Sequence, residues 1–250
     1  MKRIIINKVS KKFEIGFKKD QNALMKFISF FSGRESKREF FVLKDVSFDA
    51  DAGENVGLIG KNGSGKSTLL RIIAGIYELG KGNITSDGKL VYLSGFGTGL
   101  KKRLTMKENI YLIGSILGLN NKEIKSKFSE IVKFSGLKDF VDTKVYQFSD
   151  GMLLRLIFSI TTHYVAHEKP EVLLLDEIFA GGDEEFRKKA VEKMEDLIKG
   201  GATVILVSHD LDLIKKYCDK VIWLEKGRIR KQGKPDQVTK AYLASGDSKI

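Results

Sequence analysis

Only one cysteine, Cys218, occurs among the 250 residues of the sequence. A single thiol cannot form an intrachain disulfide, so the composition favours a reducing compartment. Long hydrophobic runs are also missing, because no stretch of about 18 consecutive apolar residues is present. The opening Met1-Lys2-Arg3-Ile4-Ile5-Ile6 is too short an apolar run for a signal peptide. Internal repeats and low-complexity tracts are lacking too, and we expect a globular chain that does not cross a membrane by itself.

Acidic residues are outnumbered by basic ones. Lys and Arg total 44 against 32 Asp and Glu, which gives a net charge of +12. This excess fits a polyanion partner, either nucleic acid or the anionic surface of a membrane. Much of the charge is dispersed, however, as in Lys122-Glu123-Ile124-Lys125. A solvated helix face explains such patterns equally well, so composition leaves both alternatives open.

The most specific motif is Gly60-Lys61-Asn62-Gly63-Ser64-Gly65-Lys66-Ser67-Thr68. It fits the phosphate-loop pattern Gly-x-x-x-x-Gly-Lys-Ser/Thr at every required position. Residues 54–59 before it resemble a buried strand, and residues 69–74 after it resemble a helix with an apolar face. A plain glycine-rich turn rarely has this context, so the motif predicts a nucleoside triphosphate ligand.

Each residue type in the loop has a physical task. Gly60, Gly63 and Gly65 lack a Cβ, so the backbone can turn its N–H groups toward phosphate oxygens at a helix N-terminus. Lys66 is expected to reach the β- and γ-phosphates of ATP. The Ser67 hydroxyl is expected to supply one oxygen ligand to Mg²⁺. ATP and Mg²⁺ are therefore the predicted cofactors.

Periodicity along the chain predicts an α/β fold. The predicted β-strands are residues 3–9, 42–48, 54–59, 172–175, 203–207 and 221–224. The predicted helices are residues 69–74, 106–117, 122–134, one opening near 149, 184–198, 211–216 and a C-terminal helix and tail at 235–250. Because strands and helices alternate after residue 172, we expect a mostly parallel core sheet. The N-terminal strands predict an antiparallel part, and residues 101–167 a helical subdomain.

An amphipathic segment interrupts the N-terminal strands. Within residues 20–32, Leu24, Phe27, Ile28 and Phe31 follow the i, i+3, i+4, i+7 spacing of an apolar helical stripe. Basic residues flank it, which suits a membrane interface. A helix packed on the protein's own core would show the same stripe, so both interpretations remain.

Two carboxylates end the apolar strand at 172–175. Asp176 is expected to support the Mg²⁺, and Glu177 to polarise the attacking water as a general base. Upstream, Ser149-Asp150-Gly151 opens a helix at which Ser149 would act as N-cap and leave backbone N–H groups free for an anion. Solvated acids at a strand end and an ordinary capped helix are the less specific alternatives.

Five motifs in order and spacing resemble the ATP-binding subunits of ABC transporters over essentially the whole chain. They are the phosphate loop, Phe148-Ser149-Asp150-Gly151-Met152, the strand ending in Asp176-Glu177, Ala180-Gly181-Gly182-Asp183 and Val207-Ser208-His209-Asp210. The resemblance implies one ABC ATPase domain over residues 1–250. It also implies a second copy of the chain as partner.

The resemblance assigns roles to further residues. Ser149 and Gly151 would belong to the signature motif that closes the ATP site of the second subunit. Asp183 would be the D-loop acid, and His209 the switch histidine that contacts the γ-phosphate. Phe13 lies where the family places an aromatic residue that stacks on adenine, although packing against the sheet would also explain it.

Finer features resemble the ATPases that export polysaccharides or polyol-phosphate polymers. They are residues 104–112, the Ser-x-Gly-Met signature, Gly182-Asp183 and residues 221–229. Members of that group drive O-antigen, capsule or teichoic-acid export, and many carry an insertion similar in place to residues 17–39. The resemblance implies an integral membrane permease, a lipid-linked polymer substrate, the membrane surface as a contact, and no nucleic acid partner.

Two positions depart from the family pattern. Most members have a glutamine between the core and the helical subdomain, whereas residues 93–100 here contain neither amide nor acid. The glycines of this segment suggest a pliant hinge. In the signature, Asp150 replaces the usual first glycine and brings a negative charge toward a phosphate site, which it would weaken unless it points outward.

The sequence thus predicts an ATPase at the cytoplasmic face of the cell membrane that drives export of a lipid-linked polysaccharide or teichoic-acid-like polymer. Lys66, Glu177 and His209 are the predicted catalytic residues. An ABC subunit for a drug or lipid cargo is an alternative. A nucleic-acid-associated ABC ATPase is disfavoured, because such proteins usually carry a long coiled-coil insertion or two ATPase domains. A non-hydrolysing regulator is disfavoured by Glu177 and His209.

Overall fold

A computed structural model describes residues 1–15, 38–94, 99–177 and 183–246. Its strands are β1 Lys2–Ile15, β2 Arg38–Asp51, β3 Asn55–Ile59, β4 Lys81–Ser86, β5 Leu90–Ser94, β6 Val172–Asp176, β7 Thr203–Val207, β8 Lys220–Glu225 and β9 Arg228–Gly233. Its α-helices are α1 Lys66–Ile73, α2 Met106–Ile116, α3 Asn121–Ser135, α4 Asp150–Glu168, α5 Glu184–Ile198, α6 Leu211–Tyr217 and α7 Pro235–Ala244.

A six-stranded sheet in the order β5-β6-β7-β3-β8-β9 forms the centre of the fold. Its first five strands are parallel, and only β9 runs antiparallel, against β8. Because β6, β7 and β3 are consecutive parallel strands, the loop after β3 emerges beside the loop after β7 and one strand away from the loop after β6. The predicted α/β class with a mostly parallel core sheet is confirmed.

A second, three-stranded antiparallel sheet has the order β2-β1-β4. The long strands β1 and β2 are irregular, with register shifts between Ile6 and Val9 and again between Val9 and Lys11. The predicted N-terminal antiparallel part is confirmed, but β1 extends to Ile15, well beyond the predicted end at residue 9.

Three strands were absent from the sequence prediction. β4 exposes nearly all its side chains, so it has no alternation of buried and exposed residues. β9 is similarly polar, and β5 is short and only partly buried. Each lies at the edge of its sheet, where fewer side chains are covered.

Apolar residues fill both faces of the central sheet. Along β6, Leu173 and Leu175 face one side, where α5, α6 and α7 pack. Val172 and Leu174 face the other, where α1 and the antiparallel sheet lie. Strands covered on both faces are continuously apolar, which explains why β6 and β7 were predictable to within one residue.

Helices α2, α3 and α4 enclose a separate apolar cluster around Ile110, Ile124 and Leu156. α2 begins with a capping box, in which the Thr105 side chain accepts from the Glu108 N–H and Glu108 accepts from the Thr105 N–H. Such reciprocal bonds satisfy donors that a helix start leaves free. A second capping box, from Asn120, begins α3.

Backbone hydrogen bonds join the segment before α2 to the segment between α3 and α4. Tyr146 and Val145 donate to the carbonyls of Lys102 and Leu104, each at 2.9 Å. Thr105 and Lys144 form an antiparallel bridge. We call these paired segments, residues 101–107 and 141–146, the backbone strap.

Some predicted segments lie outside the described residues. They are most of the insertion at 17–39, residues 95–98 of the glycine-rich segment, residues 180–182 and the end of the C-terminal tail. Among the described helices, none is long and apolar enough to span a bilayer.

Candidate functional site

The phosphate loop connects the end of β3 to the start of α1. Gly60, Gly63 and Gly65 have φ values of 148°, 75° and 106°, which residues with a Cβ rarely adopt. A Cβ on Gly60 would also lie 2.1 Å from the carbonyl oxygen of Leu224. Gly65 is the N-cap of α1 and makes no side-chain cap, so the first N–H groups of the helix remain available to an anion.

The Lys66 side chain is 5% exposed and lies inside this loop. Its Nζ donates to the carbonyl oxygens of Gly60 and Lys61, at 2.7 and 3.1 Å. Burial lowers the pKa of Lys66, while the nearby charges of Glu177 and Asp176 oppose that shift. The Lys66 ammonium group is therefore positioned to bind a phosphate, whose oxygens carry more negative charge than backbone carbonyls do.

Ser64 gives a second indication of an anion. Its Oγ is buried and has no hydrogen-bond partner among the described residues. A buried hydroxyl without a partner is unfavourable, and a phosphate oxygen in the loop would supply one. The residues present therefore fit a phosphate ligand.

Asp176 ends β6 opposite the first turn of α1. The Ser67 Oγ donates to Asp176 Oδ1 at 3.1 Å, and the Tyr92 hydroxyl donates to Asp176 Oδ2 at 3.0 Å. A hydroxyl beside a carboxylate is the hard oxygen set that Mg²⁺ prefers. No group of three or more His, Cys, Asp or Glu suited to a metal occurs in the described ranges. A cation held by Ser67 and Asp176 would take its remaining ligands from phosphate and water.

Glu177 and His209 meet beside Asp176. Nε2 of His209 lies 2.9 Å from Oε1 of Glu177, and both side chains are partly exposed to solvent. Glu177 has a φ of 53°, an uncommon left-handed conformation for a residue with a side chain. Its N–H donates to the Val207 carbonyl at 3.1 Å, which fixes this turn to the end of β7. Because β6 and β7 are parallel neighbours, the acid and the histidine leave the sheet at the same edge.

The structure thus brings Lys66, Ser67, Asp176, Glu177 and His209 to one edge of the sheet. A cavity of about 310 Å³ opens there. Its lining residues are Phe40, Val42, Asn62, Gly63, Gly65, Lys66, Ser67, Thr68 and Glu177. A larger cavity of about 640 Å³ lies near the opposite ends of β6 and β7, beside Glu171 and Thr203. We assign the site to the smaller one, because the phosphate loop and the paired acids line it or lie next to it.

Ser149 and Gly151 lie elsewhere, at the exposed start of α4. Ser149 is the N-cap, and its Oγ accepts from the Met152 N–H at 3.3 Å. Ser149 also accepts from the Leu153 N–H at 2.9 Å, so these two hydrogen bonds stay within α4. Asp150 is exposed and occupies the first turn, where a carboxylate interacts favourably with the helix dipole.

Asp183 is the N-cap of α5. Its carboxylate accepts from the Phe186 N–H at 2.9 Å and pairs with the Arg155 guanidinium at 2.8 Å. These two contacts, the first above all, lower the pKa of Asp183. Arg155 belongs to α4, so this ion pair connects the helix capped by Ser149 with α5, the helix that follows the β6 acids.

Phe13 lies on β1 and is half-buried. Its ring meets Tyr77 edge to face at 5.6 Å, and Nζ of Lys11 lies 5.3 Å from its centroid. Its partner across the strand pair is Phe40, which is 57% exposed and lines the cavity at the phosphate loop. Sequence reasoning missed Phe40 and Tyr92, since neither belongs to a motif. The strand register could have indicated Phe40 as the neighbour of Phe13.

Comparison with known proteins gives consistent results. A family model described as "ABC transporter" matches residues 43–180. The O-antigen export system ATP-binding protein RfbB of Klebsiella pneumoniae is 38% identical over 82% of this chain and 82% of its own length. The teichoic acids export ATP-binding protein TagH of Lactococcus lactis is also 38% identical, over 94% of this chain. That match spans only 49% of TagH, so this chain corresponds to about half of that relative.

Solved structures agree on the fold. One is a dimeric post-hydrolysis state of an ATP-binding cassette bound to ADP and Pi, with a TM-score of 0.70 and 22% identity. The match covers 93% of this chain and 98% of that one. At this identity the likeness concerns the architecture alone.

Proposed function

The chain belongs to the ABC transporter family, and on that premise we propose that it is the ATP-hydrolysing subunit of an exporter. The proposed cargo is a lipid-linked polysaccharide or a teichoic-acid-like polymer. The proposal that the chain hydrolyses ATP is supported by one observation: two pairs of side chains meet at the same edge of the central sheet. Ser67 meets Asp176 beside the phosphate loop, and Glu177 meets His209 next to them.

The reaction is attack of water on the γ-phosphate of ATP, with release of ADP and phosphate. Lys66 would bind the β- and γ-phosphates in place of the two carbonyls it now contacts. Glu177 would accept a proton from the attacking water, and His209 would donate to the γ-phosphate. Mg²⁺, when bound with ATP through Ser67 and Asp176, neutralises charge on the β- and γ-phosphates.

The complete site is proposed to need a second copy of the chain. Ser149 and Gly151 would close on the phosphates bound by the other subunit, through the free N–H groups at the start of α4. Their exposure supports this assignment, because a surface residue is accessible to a partner. We treat residues 1–250 as one ATPase domain, with 101–167 as its helical subdomain.

Phe13 is proposed to stack on adenine. Phe40 would add a second apolar surface, because it lies directly opposite Phe13 in the strand pair and borders the cavity. Two rings provide contact area with little selectivity among bases. Asn62, Ser64 and Thr68 complete the proposed ATP-binding set.

The cargo proposal is supported by the names of the relatives, which are O-antigen and teichoic acid export proteins. The chain would bind the cytoplasmic side of an integral membrane permease, and residues 17–39 would lie near the membrane. Its net charge of +12 suits an anionic membrane surface. A drug or lipid cargo is the alternative.

Replacement of Glu177 tests the enzymatic proposal. Glu177→Gln should keep ATP binding and lower the hydrolysis rate of the assembled exporter by about 10²- to 10⁴-fold, as expected when a general base is lost. Glu184→Gln is the matched control, since Glu184 is exposed at the start of α5. Hydrolysis at the wild-type rate by Glu177→Gln would contradict the assigned role.

The cargo is tested in cells that lack the chromosomal copy. We expect surface polymer to disappear and its lipid-linked precursor to accumulate inside, with restoration by the wild-type chain but not by Glu177→Gln. Unchanged surface polymer together with altered drug sensitivity or lipid distribution would favour the alternative cargo.

A further inference from the structure

Both oxygens of the Asp176 carboxylate are already hydrogen bonded, and Tyr92 holds one of them. We propose that Tyr92 is a positioning residue that fixes the orientation of Asp176, so that the other carboxylate oxygen faces Ser67 and the cation bound there. This inference rests on the proposed function, because it assigns Asp176 to a metal–ATP complex. Tyr92 itself is not proposed to touch metal or substrate.

The geometry separates the two oxygens. Oδ2 accepts from the Tyr92 hydroxyl at 3.0 Å, while Oδ1 accepts from Ser67 at 3.1 Å. β5 pairs with β6 in parallel, with Ser94 opposite Asp176. Tyr92 is two residues before Ser94 on the same face of the strand, so its ring runs along the sheet and reaches Asp176. A carboxylate held at one oxygen loses rotational freedom about its Cβ–Cγ bond.

Arg71 holds the tyrosine in turn. It lies in the last turn of α1 and interacts with the Tyr92 hydroxyl, and its Nη1 also contacts the Tyr77 hydroxyl at 3.1 Å. These contacts raise the pKa of Arg71, with Tyr92 as the largest cause. The same helix carries Ser67 in its first turn, so one rigid element supports both partners of Asp176.

The Tyr92 hydroxyl has one proton to donate. It can therefore donate only one hydrogen bond, and here the acceptor is Asp176. The contact is directional for that reason.

The orientation of the Asp176 carboxylate should affect cation binding, because the protein supplies few ligands to the cation. Ser67 and Asp176 are the two protein donors assigned to the cation. Loss of the group that orients a metal ligand typically weakens metal affinity by about 10- to 100-fold. The effect here should fall near the lower end, since phosphate oxygens also hold the ion.

Tyr92→Phe removes only the hydroxyl and tests the proposal directly. The probe is Mn²⁺ in the presence of a non-hydrolysable ATP analogue, followed by electron paramagnetic resonance. We expect about tenfold weaker Mn²⁺ binding, an increased Mg²⁺ requirement for ATP hydrolysis at unchanged kcat, and unchanged affinity for the analogue without metal. The KM for Mg²⁺ and the kcat thus separate positioning from a general loss of structure.

Tyr217→Phe is the matched control. The Tyr217 hydroxyl also donates to a carboxylate, that of Glu195, in a part of the fold away from the phosphate loop. The Tyr217→Phe variant should leave Mn²⁺ binding unchanged. A second variant, Arg71→Gln, keeps Tyr92 but removes its anchor, and we expect weaker Mn²⁺ binding with a smaller loss than in Tyr92→Phe. This variant decides the question should Tyr92→Phe fail to fold.

The outcomes are distinguishable. Wild-type Mn²⁺ affinity in Tyr92→Phe would overturn the positioning role while leaving the proposed function intact. An equal loss in Tyr217→Phe would also overturn it, since the effect would then be general. A wild-type chain that binds neither Mn²⁺ with the analogue nor ATP would refute the proposed function itself.

Discussion

The two parts of the proposed ATP site differ in their contacts within the chain. At the phosphate loop, side chains from α1, β6 and the turn after β7 lie within hydrogen-bonding or ion-pair distance of one another. At the start of α4, Ser149 and Gly151 are exposed and contact their own helix. One chain therefore holds two well-formed halves that do not meet, which is the arrangement expected when two copies each complete the other.

The largest expected effect comes from mixing two inactive variants. Lys66→Ala removes the phosphate contact and Ser149→Arg blocks the signature end, so each should lose nearly all ATPase activity alone. In a mixed dimer, one site carries both defects and the other carries neither. An equal mixture should therefore recover about a quarter of the wild-type activity, since half of the dimers in a symmetric assembly are mixed.

The control for this experiment mixes Lys66→Ala with Lys66→Ala,Ser149→Arg, which leaves no intact site in any dimer. Steady-state ATPase rates of the assembled exporter are the measurement. The contrary outcome is that the single variants are shown to exchange subunits and their mixture still stays inactive. That result would contradict the claim that the phosphate loop of one copy and the start of α4 of the other copy form one site.

A smaller effect is expected from crowding the helical part. A Cβ on Gly114 of α2 would lie 2.7 Å from Ile124 Cγ1 and 2.9 Å from the Tyr164 hydroxyl. Gly114→Val should lower the free energy of unfolding by about 2 kcal/mol, as overpacked cores do. ATP binding at the phosphate loop should persist, because the apolar residues of β3 and α1 that flank the loop belong to the other two clusters.

Thermal unfolding and binding of a fluorescent ATP analogue measure these two consequences. Ser115→Val is the matched control, since Ser115 is the exposed neighbour on the same helix. Loss of stability and of nucleotide binding in parallel would show that the two regions are not separable in this way.

The smallest effect is expected for Asp183, whose carboxylate pairs with Arg155 and so connects α5 with α4. Because the folded state lowers the pKa of Asp183 below its usual 3.8, the charged form stabilises the fold above that pH. This contribution is lost as the pH falls through the lowered value. Asp183→Asn should reduce the Tm at pH 7 by less than about 2 °C, and the difference from wild type should shrink as the pH falls below 3.8.

Asp212→Asn is the control for that titration, because the Asp212 side chain is almost fully exposed. Thermal scans at several pH values suffice. A difference between Asp183→Asn and wild type that grows in acid would contradict the assigned direction of the shift.

Sequence patterns predicted the buried parts of the fold well and the edges poorly. α5 begins and ends at the predicted residues, and β7 does too, because their apolar periodicity reflects real burial. β4 was missed because its exposed side chains follow no period. The strands β6, β7 and β3 are adjacent, which also explains how distant motifs reach one edge.

The site was predictable where a motif specifies a residue type and was not where only the fold brings groups together. Asp176 and Glu177 follow from the strand that ends in two acids. The left-handed backbone of Glu177 and the contact of Tyr92 with Asp176 depend on strand pairing, which no local pattern encodes. The roles of the motif residues stay predictions until the variants above are measured.

The backbone strap has a mechanical consequence. Residues 101–107 and 141–146 are joined by main-chain bonds, so the excursion through α2 and α3 is closed at its base. A displacement of α2 would therefore also move the segment that leads into Ser149, instead of being taken up by stretching of the chain between them.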